Sequence, residues 1–373
     1  MNILTEKDLQ DWLNKLSWEE VEKKVKEHGH VLLPAMIDSH VHFRVPGDSH
    51  KEDWEWGSKA ALEGGIVGVI DMPNNKPSIT NKGVLEEKIR IVNKQKQDGF
   101  KSFFNLGASA SHDPDLSCVD QVVGLKVYHT ETTGDLLVQD QERLEKIYET
   151  WPKTIIVHSE EIDTILELVK KYKKPTYFCH VSTKPEIEKL QKAKQEGLPV
   201  FIEVTPHHLL LNQDDLDEWG CFLHVKPPLK TKEDNKALWK AVRDGTVDVL
   251  ASDHAPHLPE EKEGDNPPAG LPGVGQILPL MLNAVNENKL KLERLIELMH
   301  NNPIKIFGLT GLEGCGVAVD MKQDNIIEKK GLNTKCGWSP YEGRKLFGWP
   351  EFTILDKKVV KIEREDLDIN LNN

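Results

Sequence analysis

Eight short apolar runs rich in β-branched residues recur along the chain: VLLPAMID, IVGVIDM, FFNLGAS, VGLKVY, TIIVHS, TYFCHVS, VFIEVT and VDVLASD. Helical patterns with charged faces separate most of them, such as VLEEKIRIVNKQKQ, EIDTILELVKKY and KEDNKALWKAVRDG. A continuous apolar run is the mark of a strand covered on both faces, and strand–helix alternation builds a parallel sheet. Eight such units within roughly 280 residues predict a closed (β/α)8 barrel of the TIM type. An open doubly wound sheet is the competing architecture, but no G-x-G-x-x-G follows a strand to support a dinucleotide-binding version. The third interval, ASHDPDLSCVDQ, has room for little helix.

The barrel is expected over residues 31–310. Before it, residues 1–30 place Leu9, Leu13 and Leu16, then Val21 and Val25, at helical spacing. That predicts an N-terminal segment of one or two amphipathic helices packed on something else. Residues 311–373 turn irregular, and EFTILDKKVVKIERE alternates like a strand, so a small C-terminal β-rich appendage is expected. Composition removes other classes. Hydrophobic residues at 38% suffice for a large core, and the charge of 48 − 61 = −13 argues against a nucleic-acid partner. No apolar run approaches the ~20 residues needed to span a bilayer. The N-terminus lacks the continuous apolar stretch of a signal peptide. The five cysteines (Cys118, Cys179, Cys221, Cys315, Cys336) are widely spaced and odd in number, which fits a reduced cytoplasmic protein.

The chemistry sits where the strands end. The first run leads into His40-Val41-His42-Phe43-Arg44, and in an extended chain His40 and His42 project to one side, able to grip one metal ion. The fourth run carries Lys126, the fifth ends at His158, the sixth at Cys179-His180, the seventh holds Glu203 and the eighth ends at Asp253. A barrel gathers these ends around one mouth. Taken singly, an H-x-H pair is a weak signal, and His158 or His180 reads as a hydrogen-bonded strand-end histidine. Lys126 is odder, because an unpaired buried ammonium is costly and needs a counter-charge or a chemical change. Reaction with CO2 would make it an anionic carbamate that bridges two cations. Together the positions point to a metal site.

With these residues in place, the chain resembles the dihydroorotases of the metal-dependent amidohydrolase superfamily, nearest the dihydroorotase domain of the animal multifunctional pyrimidine-synthesis protein. The similarity runs from about Leu33 to Phe307 and returns at Trp338 to Gly343. It rests on IDSHVHFRVPGDSHKEDWEWGSKAALEGG, DMPNNKP, GLKVYHTET, CHVS, EVTPHHLLL, ASDHAPHLPEEK and NPPAGLPG. The resemblance implies a zinc ion on His40, His42 and Asp253, a second on His158 and His180, and Lys126 between them as N6-carboxylysine. A third zinc would use His40, Cys179 and Glu203; otherwise Cys179 is a packed strand thiol. Substrate contacts carried over are Arg44, Asn74, His257, backbone near Ala269, Thr132 in the loop HTETTGD, and Lys226. Lys226 stands where the animal protein has an arginine, keeping the charge and losing the planar fork. Thr133 stands where the animal form has an aromatic residue.

The activity implied is the reversible cyclisation of N-carbamoyl-L-aspartate to L-dihydroorotate in UMP synthesis, with Asp253 as acid–base catalyst. A homodimer, and association with aspartate transcarbamoylase, are the partners the resemblance implies. The alternatives are a related cyclic amidohydrolase (dihydropyrimidinase, hydantoinase or allantoinase), an inactive scaffold for aspartate transcarbamoylase, and a purely structural metalloprotein. Arg44 and Asn74 argue against the first, and retention of every metal position against the second. An open mouth with substrate-reading residues disfavours the last.

Overall fold

The first apolar run serves two sheets. In a computed structural model, which describes residues 3–131, 135–329 and 332–361, it breaks after Pro34 into β1 (Val31–Pro34) and β2 (Ile37–Val41). Only β2 enters the barrel. The others are β3 (Gly68–Asp71), β4 (Lys101–Gly107), β5 (Gly124–Tyr128), β6 (Thr154–His158), β7 (Thr176–Phe178), β8 (Val200–Val204) and β9 (Val249–Leu250). They pair in sequence order, all parallel. Every residue of β2, β3, β5, β6 and β7 is buried, as expected of strands with core on one face and helices on the other.

The ring is closed at the β9–β2 seam. Val41 bridges to His254, and the His42 amide donates to the His254 carbonyl at 2.8 Å. Below this, Asp38 accepts from the Ser252 amide at 3.0 Å. The short third interval holds a single 3-10 turn, Leu116–Gln121, in place of an α-helix.

The second sheet is antiparallel in the order β1, β10 (Gly316–Ile326), β11 (Lys345–Leu355), β12 (Lys358–Lys361). Two N-terminal helices cover it, α1 (Glu6–Lys15) and α2 (Trp18–Glu27), capped by Thr5 and Ser17. Leu9, Leu13, Val21 and Val25 pack against Leu32, Ala318, Phe352 and Ile354. The N-terminal helices, β1 and the strands β10 and β11 thus share one small core. The run VLLPAMID carries no polar residue between Pro34 and Met36 to mark the division.

Candidate metal centre and substrate cleft

His40 is the penultimate residue of β2 and His42 lies just beyond its end, with both rings turned into the mouth. Their Nε2 atoms each lie 3.2 Å from Asp253 Oδ1. His42 Nδ1–H donates to Asn74 Oδ1 at 2.7 Å, which leaves the Nε2 lone pair facing the centre. His40 Nδ1 lies 2.9 Å from Glu203 Oε1. Burial disfavours a charged His40, but Glu203 and Asp253 outweigh it and hold the ring well above the usual histidine range. Asp253 is held well below the carboxylate range: burial opposes this, and His40 and His42 overcome it.

On the other side of the mouth, His158 Nδ1 and His180 Nε2 are 2.9 Å apart. His158 Nε2–H donates to the Glu131 carbonyl at 3.2 Å, so its Nδ1 carries the lone pair. Burial, then Lys126, pushes His158 down to about 3, and burial with His158 pushes His180 well below its usual value. Both rings are therefore neutral, the form that binds metal. Lys126 is completely buried; its Nζ donates to Cys179 Sγ at 2.9 Å and lies 4.9 Å from the centre of the Tyr128 ring. Among the described residues no carboxylate forms an ion pair with it.

Two triads place one ligand atom per residue within 4.8 Å of one another: His40, His42, Asp253, and His40, Cys179, Glu203. The imidazole-rich, carboxylate-bearing donor set of the first suits a divalent zinc-like ion. In the second, Glu203 already receives the Tyr177 hydroxyl at 2.7 Å and the His180 amide at 2.8 Å besides His40. It orients both histidines through these contacts.

Arg44, His180 and Asp253 take positive φ (59°, 35° and 49°). Such backbone costs roughly 1–3 kcal/mol per residue and is retained at sites that use it. Here it turns the chain sharply beyond each strand end. The chain therefore does not continue extended from His42 to Arg44, and Arg44 reaches the cleft by this turn. Its Nε donates to the Pro256 carbonyl at 3.2 Å, and one terminal nitrogen lies 3.0 Å from His257 Nε2.

The cleft is lined by the four histidines, Asp253, Lys126, Arg44, Asn74, Lys226, Ala269 and Gly270. Lys226 pairs with Glu131 at 2.9 Å. His257 does not line it; its Nε2 contacts Ala269 O at 3.1 Å from behind the wall. Thr132, with Thr133, lies outside the described residues. Sequence reasoning passed over Tyr128, whose buried hydroxyl has no hydrogen-bond partner among the described residues and whose ring lines the cleft. Its spacing of two from Lys126 on β5 was the available signal. It also passed over Lys262, which is fully buried and donates to the carbonyls of His224, Pro268 and Gly270 at 3.1, 2.9 and 3.0 Å. This lysine pins the segment carrying Ala269.

Histidines, an aspartate and a buried lysine at the carboxyl ends of parallel barrel strands define a hydrolase-type barrel with a candidate metal centre in its mouth. The chain belongs to the amidohydrolase family, whose profile matches residues 31–314. Within it, the chain is 36% identical to the dihydroorotase of Pyrococcus furiosus over 95% of this chain and 87% of that protein. It is 39% identical to the multifunctional protein CAD of Squalus acanthias over 92% of this chain, but spans only 15% of that protein's length. Among solved structures, the L-hydantoinase (dihydropyrimidinase) of Arthrobacter aurescens is similar with TM-score 0.83 at 24% identity, covering 90% of this chain and 86% of that one. The inactive dihydroorotase-like domain of a CAD-like multifunctional protein from Chaetomium thermophilum gives TM-score 0.72 at 23% identity, covering 91% and 97%. These structural likenesses concern the fold.

Proposed function

We propose that the chain is a zinc-dependent dihydroorotase that interconverts N-carbamoyl-L-aspartate and L-dihydroorotate. The observation that carries this reading is Arg44 in the same cleft as Asp253 and the four histidines, a carboxylate-reading cation beside hydrolytic machinery. Similarity to the Pyrococcus furiosus dihydroorotase over nearly the whole chain supports it. The donor set fits one zinc on His40, His42 and Asp253 and a second on His158 and His180, with Lys126 as the bridging N6-carboxylysine and a third zinc on His40, Cys179 and Glu203. Bound zinc would supply an activated water and polarise the scissile carbonyl.

The chain's own residues do the rest. Asp253, ionised beside His40 and His42, accepts the proton of the attacking water and returns it to the departing ring nitrogen. Arg44 forms a charge-assisted pair with the substrate carboxylate, and Asn74 holds His42 alongside. Lys226 and the Ala269 backbone form the facing wall. Fixing the ends of an open-chain substrate supplies much of the gain in ring closure.

We assign a cytoplasmic location and a homodimer to the same reading, and association with an aspartate transcarbamoylase on the similarity to CAD. Among the described residues no helix is long and apolar enough to cross a membrane. An inactive scaffold is disfavoured by retention of all the ligand positions. Zinc content measured together with turnover in both directions tests the assignment. Metal-loaded protein that turns over neither compound overturns it.

A further inference from the structure

Residues 266–270, NPPAG, belong to no helix or strand, and Ala269 and Gly270 face the cleft. Pro267 and Pro268 have no amide N–H to offer a neighbour. Two carbonyls of this stretch are met instead by one side chain. Lys262 Nζ donates to Pro268 O at 2.9 Å and Gly270 O at 3.0 Å, and also to His224 O at 3.1 Å. His224 stands just before Val225 and Lys226 of the cleft. Its carbonyl accepts from the Gly270 amide at 2.9 Å, and its Nδ1–H donates to Pro267 O at 2.9 Å. One buried ammonium thus joins the stretch carrying Lys226 to the stretch carrying Ala269.

We propose that Lys262 is a positioning residue whose proton holds this part of the cleft wall in place: the ammonium clamps the two stretches together, and the neutral amine releases one carbonyl and loosens both. An ammonium has three N–H donors, and three carbonyls receive them; the amine has two donors and a lone pair, which repels the third carbonyl. The clamp and its proton stand on this geometry alone. Their effect on substrate affinity rests on the function proposed above.

Nothing around Lys262 anchors the proton by charge. Among the described residues no carboxylate pairs with it: Glu261, next to it, is turned to Lys51 at 3.0 Å, and Glu260, Glu263 and Asp265 are exposed. The other titratable groups about it are His224, Cys221 on the turn Gly220–Leu223, and His257, which Arg44 and Lys51 contact from its far side. A buried ammonium without a counter-ion is costly, and burial pushes Lys262 down to about 8. The cleft should therefore hold its substrate less tightly once the pH passes that value. Asp253 is ionised throughout this range and does not share the transition.

NMR of the zinc-loaded, 13C,15N-labelled protein follows Lys262 Nζ and the Gly270 amide from about pH 6.5 to about pH 10. Lys262 should titrate near 8, well before the surface lysines, and the Gly270 amide signal should move with the same midpoint. In parallel, KM for dihydroorotate should rise about tenfold across that midpoint, as for one lost hydrogen bond to a charged group. Lys262→Met should show the raised KM already at neutral pH, with a smaller change in kcat, and Lys262→Arg, whose guanidinium keeps its proton, should flatten the rise. An Nζ that stays protonated to about pH 10, a Gly270 amide that ignores its titration, or a wild-type KM flat across it overturns the proposal. The wild-type measurements decide even where a variant fails to fold. If dihydroorotate is not a substrate at all, the functional assignment fails while the two NMR titrations still judge Lys262.

Discussion

Lys88 Nζ lies 2.5 Å from Asp71 Oδ2, and both side chains are completely buried. The pair joins two loops of the cleft. Asp71 Oδ1 accepts from the Phe43 amide at 2.9 Å, next to His42, while Lys88 donates to Met72 O at 3.2 Å and Asn75 Oδ1 at 2.7 Å, next to Asn74. Removing one partner strands a buried charge, so Lys88→Met should cost about 3–5 kcal/mol of unfolding free energy. Combining it with Asp71→Asn should cost clearly less than the two single changes together. Denaturant unfolding of the cycle measures this, and strict additivity would show that the two side chains are not coupled.

That pair also marks where sequence reading stops. Within KGVLEEKIRIVNKQ, Lys88 is one of several lysines on a charged helix, and nothing in the pattern separates it from solvated neighbours. Lys262 in PEEK is hidden in the same way. The barrel strands were legible because burial on both faces removes polar alternation, which is a property of the residues themselves. The gathering of the strand-end residues His40, His42, His158, His180 and Asp253 around one mouth followed from the barrel geometry. The turn at Arg44 and the withdrawal of His257 behind Ala269 were not legible, because both depend on backbone φ and contacts between loops more than 200 residues apart.

Asp253→Asn should keep the fold and lose at least ~10²-fold in hydrolysis of dihydroorotate, the usual consequence of removing a general acid–base group. Steady-state rates with circular dichroism as a fold check decide it. A rate within a few-fold of the parent would assign the proton transfer to another group.

Acid should destabilise the metal-free protein below about pH 6.5. Burial lowers His42 and His208 to about 4, His158 to about 3 and His257 to about 2, from 6.5 in the unfolded chain. Between each pair of values the unfolded chain binds a proton that the native state does not, so stability is lost as pH falls through that window. Asp38, pushed up to about 7 by burial, and the raised His40 act oppositely. With His180 and His207, which burial also holds well below the usual range, six lowered histidines outnumber Asp38, His40 and the likewise raised Asp248 and His30, so Tm should drop between pH 7 and pH 4.5. Calorimetry with a flat or rising Tm over that range would contradict the balance.

Cys179→Ser separates the proposed third zinc from the proposed pair. Cys179, with His40 and Glu203, forms the second triad, and it also receives Lys126. The variant should lose about one zinc per chain and keep the remainder, since thiolate is much the stronger zinc ligand. Zinc analysis of parent and variant after identical dialysis gives the answer. An unchanged stoichiometry returns Cys179 to a packed thiol.

Turnover of L-dihydroorotate compared with dihydrouracil, in the parent and in Arg44→Ala, tests the dihydroorotase assignment most directly. The two rings differ by the carboxylate that Arg44 is proposed to hold. The parent should open dihydroorotate, close N-carbamoyl-L-aspartate and act weakly on dihydrouracil. Leaving the substrate anion unpaired costs ~2–5 kcal/mol, so Arg44→Ala should lose roughly 30- to 5000-fold in kcat/KM on dihydroorotate and far less on dihydrouracil. Equal losses on both compounds, or a parent that prefers dihydrouracil, would contradict the assignment and point to a dihydropyrimidinase.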